Sequence, residues 1–300
     1  MISNFRVKME FRGLFTALVT PFREDGELDE EGFRKNIDFQ ISEGIDGIVP
    51  VGTTGESATL SSDEHKKVVE IAIDQAKGKV PVIAGTGSNS TSESIDYTQH
   101  AKDAGADAAL MISPYYNKPT QEGVYQHFKK VAETVDIPII LYTVPSRTMV
   151  NIEPATTKRL AEIPNIIGIK DATGNLDQVS KEVRQCGEKF AVISGDDSLN
   201  LPIIALGGAG AISVVSNVAP KLMSEMVHAA LDGNMQRARE VHYQLYPLSK
   251  ILFIETNPSP AKAAMNLMGL AAGNPRLPLV PVSEDSRERI RKVLEQMKLI

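Results

Sequence analysis

The feature that most narrows the fold is a short β-branched run that recurs eight times along the chain. The runs are Leu14–Val19, Gly47–Val51, Val80–Ala84, Ala108–Ile112, Ile137–Leu141, Ile166–Ile169, Phe190–Ile193 and Ala211–Val215. They lie roughly 20–35 residues apart, the length of a strand, a turn, a helix and a return turn. Several are almost wholly apolar, as strands covered on both faces of a parallel sheet must be. The intervening segments carry helix punctuation. Ser61-Ser62-Asp63-Glu64 and Ser90-Thr91-Ser92-Glu93 each set a hydroxyl three residues ahead of a carboxylate, the capping-box pattern. Gly44, Gly78, Gly105 and Gly187 stand where helices should stop. Eight βα units in succession predict an α/β fold, a closed (β/α)8 TIM barrel, with an open doubly wound sheet as the alternative. With 300 residues the chain exceeds what such a barrel needs. The predicted organisation is a leader over 1–12, the barrel over 13–232 and a C-terminal helical region over 233–300. In that last region the pattern is helical only, punctuated by Pro258, Pro260, Pro275, Pro278 and Pro281.

Composition removes several function classes. A net charge of −6, with no clustered Lys and Arg, predicts no nucleic-acid partner and no anionic membrane surface. The single cysteine, Cys186, excludes an internal disulfide framework and fits a reducing compartment. Met1 to Gly13 lacks the apolar core of a signal peptide, which favours a cytoplasmic location. The longest uncharged stretch, Ser198 to Pro220, is broken by Pro202, Gly207, Gly208, Gly210 and Asn217, so a soluble protein is expected.

A barrel places its chemistry at the carboxyl ends of its strands, where the loops converge on one mouth. The residues just past each run are Thr20-Pro21, Gly52-Thr53-Thr54-Gly55-Glu56, Gly85-Thr86-Gly87, Ser113-Pro114-Tyr115-Tyr116, Tyr142, Lys170-Asp171, Gly195-Asp196-Asp197 and Ser216-Asn217. Hydroxyls, glycines and one lysine dominate. Strand alternation puts Lys170 on one face with Ile166 and Gly168. If that face looks inward, Gly168 leaves a void beneath a poorly solvated amine, and burial favours the neutral form that attacks carbonyls. The competing reading is a solvated lysine at a strand end. Gly52-Thr53-Thr54-Gly55 can turn tightly and aim successive N–H groups at one carboxylate, or be a plain glycine-rich turn. Tyr142 can move protons or serve as an aromatic plug. Arg147, after Pro145-Ser146, offers a fork that fits a carboxylate, or sits free in a loop.

No metal is expected. His65, His100, His127, His228 and His242 include no i, i+4 pair and none falls on the rim. Asp196 and Asp197 are adjacent and tend to point apart, with Asp197 expected to cap the helix near Ser198. Gly85-Thr86-Gly87 lacks the third glycine of a dinucleotide fingerprint, and Gly207-Gly208-Ala209-Gly210 lies at the opposite rim, where packing explains it.

Four segments together carry a family signature. Gly52-Thr53-Thr54-Gly55-Glu56-Ser57, Pro114-Tyr115-Tyr116-Asn117-Lys118-Pro119, Tyr142-Thr143-Val144-Pro145-Ser146-Arg147-Thr148 and Gly168-Ile169-Lys170-Asp171-Ala172-Thr173-Gly174-Asn175 resemble the dihydrodipicolinate synthase family. These are pyruvate-dependent barrel lyases, grouped with N-acetylneuraminate lyase and keto-deoxy-sugar-acid aldolases. The similarity runs from about Gly13 to the C-terminus. It implies that Lys170 forms a Schiff base with pyruvate and that Thr53 and Thr54 hold the pyruvate carboxylate. It further implies that Tyr142 protonates the leaving water, and that Thr53 links Tyr142 to a Tyr116 donated by a neighbouring subunit. Arg147 is implied to receive the carboxylate of aspartate 4-semialdehyde, while Gly195 and Ile212 line the pocket. The implied activity is condensation of pyruvate with L-aspartate 4-semialdehyde in lysine and diaminopimelate biosynthesis, by a homotetramer built as a dimer of dimers, without cofactor. The alternative is a pyruvate-dependent aldolase acting on a 2-keto-3-deoxy sugar acid. Ser57, Ala58, His65, Asn89, Glu93 and Tyr115 match the site at which lysine inhibits sensitive relatives. Two positions depart from the pattern: Thr143 replaces the usual Asn, and Met149 the usual Gly. Both are expected beside the aldehyde pocket.

Overall fold

The computed structural model describes residues 11–300, so the first ten residues of the expected leader lie outside the described residues. The strands are β1 Gly13–Ala17, β2 Gly47–Val49, β3 Ile83–Gly85, β4 Ala108–Ile112, β5 Ile139–Thr143, β6 Ile166–Asp171, β7 Ala191–Ser194 and β8 Gly210–Ser213. All pair in parallel in the order β2-β1-β8-β7-β6-β5-β4-β3. The ring closes between β2 and β3 through a bridge of Ile48 to Val82, with Ile48 N donating to Pro81 O at 3.0 Å and Gly85 N to Pro50 O at 3.0 Å. A TIM barrel is therefore the fold, not an open sheet. The observed β3 and β5 begin later than their apolar runs because Pro81 and Pro138 bring no N–H to the ladder. Both instead accept through their carbonyls, Pro138 from Ala109 N at 2.8 Å.

The helices are α1 Glu30–Ser42, α2 Ser62–Ala76, α3 Thr91–Ala104, α4 Gln121–Thr134, α5 Pro145–Thr148, α6 Pro154–Leu160, α7 Leu176–Cys186, α8 Asn200–Ala205, α9 Pro220–Leu231, α10 Met235–Ile251, α11 Ser259–Leu267 and α12 Glu284–Gln296. Among the described residues none is long and apolar enough to cross a membrane. The capping box at Ser61 forms in full, with Ser61 Oγ accepting from Glu64 N and Glu64 Oε2 accepting from Ser61 N. At Ser90 only half of it forms, because Glu93 turns its carboxylate to the Ser88 hydroxyl instead.

Side chains fill the barrel interior: Phe15, Val49, Ile83, Leu110, Ile140, Ile167, Ile193 and Ile212 share one buried cluster. Phe11, placed in the leader by sequence, belongs to that cluster and stacks on Phe15 with ring centroids 6.4 Å apart. The region beyond Gly233 has no core of its own. Leu245, Leu248, Met265, Ile290 and Leu294 are buried in the same cluster as Leu14, Ile37 and Val68. That shared core seats α10 and α11 against the barrel.

Strand β6 departs from simple alternation. Ile139 pairs with Ile166 but Ile140 with Gly168, so Ile167 is an extra residue in the ladder. Ile166 and Ile169 face the outer helices while Ile167 faces the barrel interior. Ile166 and Lys170 therefore do not share a face, because a bulge resets the alternation. Gly168 leaves no void either: a Cβ there would sit 2.5 Å from Ala191 O. The glycine lets β7 approach β6.

Candidate active site

A cavity of about 320 Å³ opens at the carboxyl ends of the strands. Its wall includes Thr53, Thr54, Tyr142, Arg147, Lys170 and Gly195. Tyr142 and Lys170 are direct register partners on β5 and β6, so their side chains enter the mouth side by side. Lys170 Nζ stands 4.3 Å from the centre of the Tyr142 ring. Lys170 is only 6% exposed, and among the described residues it has no ion-pair partner. An amine in that position has lost water without gaining a counter-ion. Gly195 supplies the room for it. A Cβ at Gly195 would lie 2.9 Å from Lys170 Cε and 2.9 Å from Ala172 Cβ.

The Gly52–Glu56 segment forms two successive turns, with Gly55 N donating to Gly52 O and Glu56 N to Thr53 O, both at 3.1 Å. Among the described residues the N–H groups of Thr53 and Thr54 meet no acceptor, and both residues line the cavity. Gly85 permits this turn to pack closely, since a Cβ there would come within 2.4 Å of Val51 O. Glu56, at φ 56°, ends the turn and pairs with Lys262 of α11 at 2.5 Å, both side chains being 1% exposed. Burial pulls the Lys262 ammonium down to about 8 against the opposing attraction of Glu56.

The C-terminal region contributes directly to this wall, through Ser249, Lys250, Phe253 and Asn257. Asn257 Nδ2 donates to Thr54 Oγ1 at 3.1 Å, and Arg147 Nη2 donates to Asn257 O at 3.1 Å. One residue thus joins the threonine turn to the arginine. Reading along the chain missed Asn257 and Lys250, and nothing local marks them. The nearest signal is Pro258, which follows Asn257 and punctuates the helical region.

Other expected residues lie elsewhere. Ile212 is buried in the barrel interior, and Val214 takes the place on the cavity wall. Tyr116 is 90% exposed at φ 70° and does not line the cavity of its own chain. A smaller void of about 30 Å³ shares Gly52, Thr53 and Tyr142 with the cavity and adds Ser57. Neither departure lines the cavity: Thr143 is buried with its hydroxyl on Asn151 Oδ1 at 3.0 Å, and Met149 points to solvent in the left-handed region. The alternation of β5 turns Thr143 outward because Tyr142 points in. Asp196, not Asp197, caps the turn before α8, accepting from Ser198 N at 2.9 Å. Asp197 instead accepts from Val214 N and Val215 N at 2.9 Å each, which ties the ends of β7 and β8 together.

Of the six matched effector positions, His65 is buried, stacks on Tyr97 at 4.1 Å and is pushed down to about 4 by burial. Glu93 opens α3 with its carboxylate on Ser88, and Ser57 opens the turn after Glu56. Ala58 and Tyr115 are exposed. Asn117 Nδ2 donates to Asn89 O at 2.9 Å and Asn117 N to Tyr115 O at 2.8 Å, so the loops after β3 and β4 are joined. Among the described residues no group of three or more His, Cys, Asp or Glu could hold a metal ion.

The model of the dihydrodipicolinate synthetase family matches residues 10–297. The chain belongs to that family. The 4-hydroxy-tetrahydrodipicolinate synthase of Methanothrix thermoacetophila is 57% identical over 288 residues, covering 96% of this chain and 97% of that protein. The dihydrodipicolinate synthase of Aquifex aeolicus superposes with a TM-score of 0.95 at 51% identity, over 96% of this chain and 99% of that one. The family member from Cyanidioschyzon merolae, solved with lysine bound, has a TM-score of 0.94 at 39% identity, over 97% and 99% of the two chains.

Proposed function

We infer that this family member has 4-hydroxy-tetrahydrodipicolinate synthase activity, joining pyruvate to L-aspartate 4-semialdehyde through a Schiff base on Lys170. The observation that carries the reading is the buried, counter-ion-free amine of Lys170 lying against the Tyr142 ring in the wall of a cavity also lined by Thr53, Thr54 and Arg147. The amine attacks the keto carbon of pyruvate, water leaves, and the imine tautomerises to an enamine. The enamine carbon then bonds to the aldehyde carbon. Ring closure by the substrate's amino group displaces Lys170 and restores it. The iminium is the electron sink, so the chemistry draws on neither metal nor organic cofactor.

The residues divide the work by chemistry. Thr54 accepts from Asn257, which leaves its own proton to donate to the pyruvate carboxylate beside the free N–H groups of the turn. The Tyr142 hydroxyl serves the leaving water, with Thr53 passing protons toward Tyr116 of a neighbouring copy. A tyrosine 90% exposed on its own chain suits that assignment, and with it a homotetramer built as a dimer of dimers in the cytoplasm. Arg147 and Lys250 make the mouth cationic, which suits a second substrate that brings its own carboxylate.

Turnover of pyruvate with aspartate semialdehyde, run beside a panel of 2-keto-3-deoxy sugar acids, tests the reading. Preference for a sugar acid would overturn the substrate assignment. Arg147→Ala is expected to lower kcat/KM for the aldehyde by about 10- to 150-fold, the loss of one charge-assisted pair worth roughly 1.5–3 kcal/mol. The pyruvate adduct should still form. Loss of the adduct with normal aldehyde use would remove Arg147 from this role.

The same reading extends to feedback by free lysine, bound near Ser57, Ala58, His65, Asn89, Glu93 and Tyr115. Glu93 pairs with an ammonium, Asn89 and Tyr115 donate to a carboxylate, and Tyr115 adjoins Tyr116, which gives a route to the reacting residues. The lysine-bound relative from C. merolae supports this. Millimolar lysine is expected to inhibit, and Glu93→Ala to weaken that inhibition. Full activity in saturating lysine would dismiss the site.

A further inference from the structure

Behind the Lys170–Tyr142 pair, on the outer face of the barrel, lies a buried polar network that none of the steps above uses. It begins at Thr143, next to Tyr142, whose hydroxyl donates to Asn151 Oδ1 at 3.0 Å and accepts from Ile152 N at 3.1 Å. Asn151 Nδ2 donates to Gln178 Oε1 at 2.8 Å. Gln178 Nε2 reaches Asp171 Oδ2 at 3.2 Å and Glu182 Oε1 at 3.3 Å. Asp171, next to Lys170, also accepts from Thr173 N at 2.8 Å and from its hydroxyl at 2.7 Å, while its backbone carbonyl accepts from Gly195 N at 2.7 Å. The network therefore joins the ends of β5, β6 and the loop after β7, each next to a residue of the cavity wall.

Its centre is a pair of buried carboxyl groups, Asp171 and Glu182, both reached by the same Gln178 amide. Two carboxylates cannot face each other in a dry site, so one must keep its proton and donate it. Glu182 is wholly buried. Thr157 Oγ1 and Gln178 Nε2 both donate to its Oε1, whereas its Oε2 meets no donor among the described residues. That pattern marks Oε2 as the protonated oxygen. Burial, then the neighbouring Asp171 charge, push the Glu182 carboxyl up to about 9. Of the other ionisable groups on its helix, Asp177 and Lys181 pair with each other in solvent and Arg184 is exposed, while burial and Glu182 push the Cys186 thiol up to about 12, with Lys158 of α6 opposing. From β7 and α8 the apolar side chains of Val192 and Ile203 pack into this layer.

We propose that Glu182 is a positioning residue, whose single carboxyl proton donates to Asp171 and so locks the ends of β5 and β6 with the Tyr142 ring against the Lys170 amine. Without that proton two negative charges meet behind the strand, and the Asp171 side chain is driven off the Thr173 loop. The effect then falls on the rate of the covalent steps rather than on substrate affinity. The proposal rests on Lys170 and Tyr142 being the reacting pair.

Two variants test it. Glu182→Gln keeps a neutral donor of the same shape, and Glu182→Leu removes the donor. At neutral pH the Gln variant should hold kcat within about twofold of wild type, whereas the Leu variant should lose about tenfold in kcat with KM for pyruvate little changed. As pH rises through about 9 the wild type should show an alkaline fall in kcat that the Gln variant lacks. If the Leu variant proves too unstable to assay, the pH profile of the Gln variant decides alone. An identical alkaline fall in wild type and Gln variant, or full kcat in the Leu variant, would overturn the proposal. Borohydride trapping with pyruvate separates the two levels. No adduct on Lys170 of the wild type would sink the underlying reading, whereas a normal adduct with unaffected variants sinks only the role of Glu182.

Discussion

Lys170→Met is expected to abolish turnover, lowering kcat/KM by at least about 10³-fold, while leaving the protein as stable as before or more so. The two halves have one cause. A buried amine without a counter-ion is costly to fold around, and a methionine of similar length fills the same space without that cost. Yet the reaction loses its covalent partner, and among the described residues no other amine lies over the Tyr142 ring. Borohydride with pyruvate should label the wild type on the peptide containing Lys170 and leave the variant unlabelled. Thermal melts of the two proteins check the second half. Persistent turnover by a folded Met variant would refute the Schiff-base mechanism, and a large fall in melting temperature would mean that the amine is structurally paired after all.

Lys262→Met should be the most damaging substitution outside the cavity. It strands the Glu56 carboxylate in a site where both partners are 1% exposed, and breaking one side of a buried pair costs about 3–5 kcal/mol. That is a large part of the stability of an ordinary domain. Glu56 closes the turn that carries Thr53 and Thr54, so the surviving folded protein should also bind pyruvate less well. Denaturant unfolding and the pyruvate KM measure the two effects. The double variant Glu56→Leu with Lys262→Met removes both charges and should recover much of the stability but not the turn geometry. If the single variant melts with the wild type, the ion pair does not anchor the turn.

What could be read along the chain was local. Eight apolar runs at regular spacing are enough to place eight parallel strands, because each run must be covered on both faces wherever its neighbours lie. The residues that end those runs are then committed to one rim, and so Thr53, Thr54, Tyr142, Lys170 and Gly195 could be named before any coordinates. Arg147 stood out by the chemistry of its fork after Pro145-Ser146, and the family motifs gave that fork its implied substrate. Where local pattern misled, backbone detail was responsible. The extra residue at Ile167 reversed the face assigned to Ile166, and Gly168 proved to admit the neighbouring strand rather than leave a void. Glu93 left its capping box for Ser88, a partner five residues back.

What the chain alone could not reveal are contacts closed over long separations. Asn257 meets Thr54 across 203 residues, and Lys262 meets Glu56, because α10 and α11 share the barrel's own core instead of forming an appended layer. Asn257 and Lys262 are unremarkable in sequence, a loop asparagine before a proline and a lysine within a short helix. Strand positions follow from periodicity and hydrophobic burial, which neighbouring residues dictate. The pairing of a buried charge or amide follows only from which distant side chain the closed barrel brings to it, and in this protein that closure completes the cavity wall.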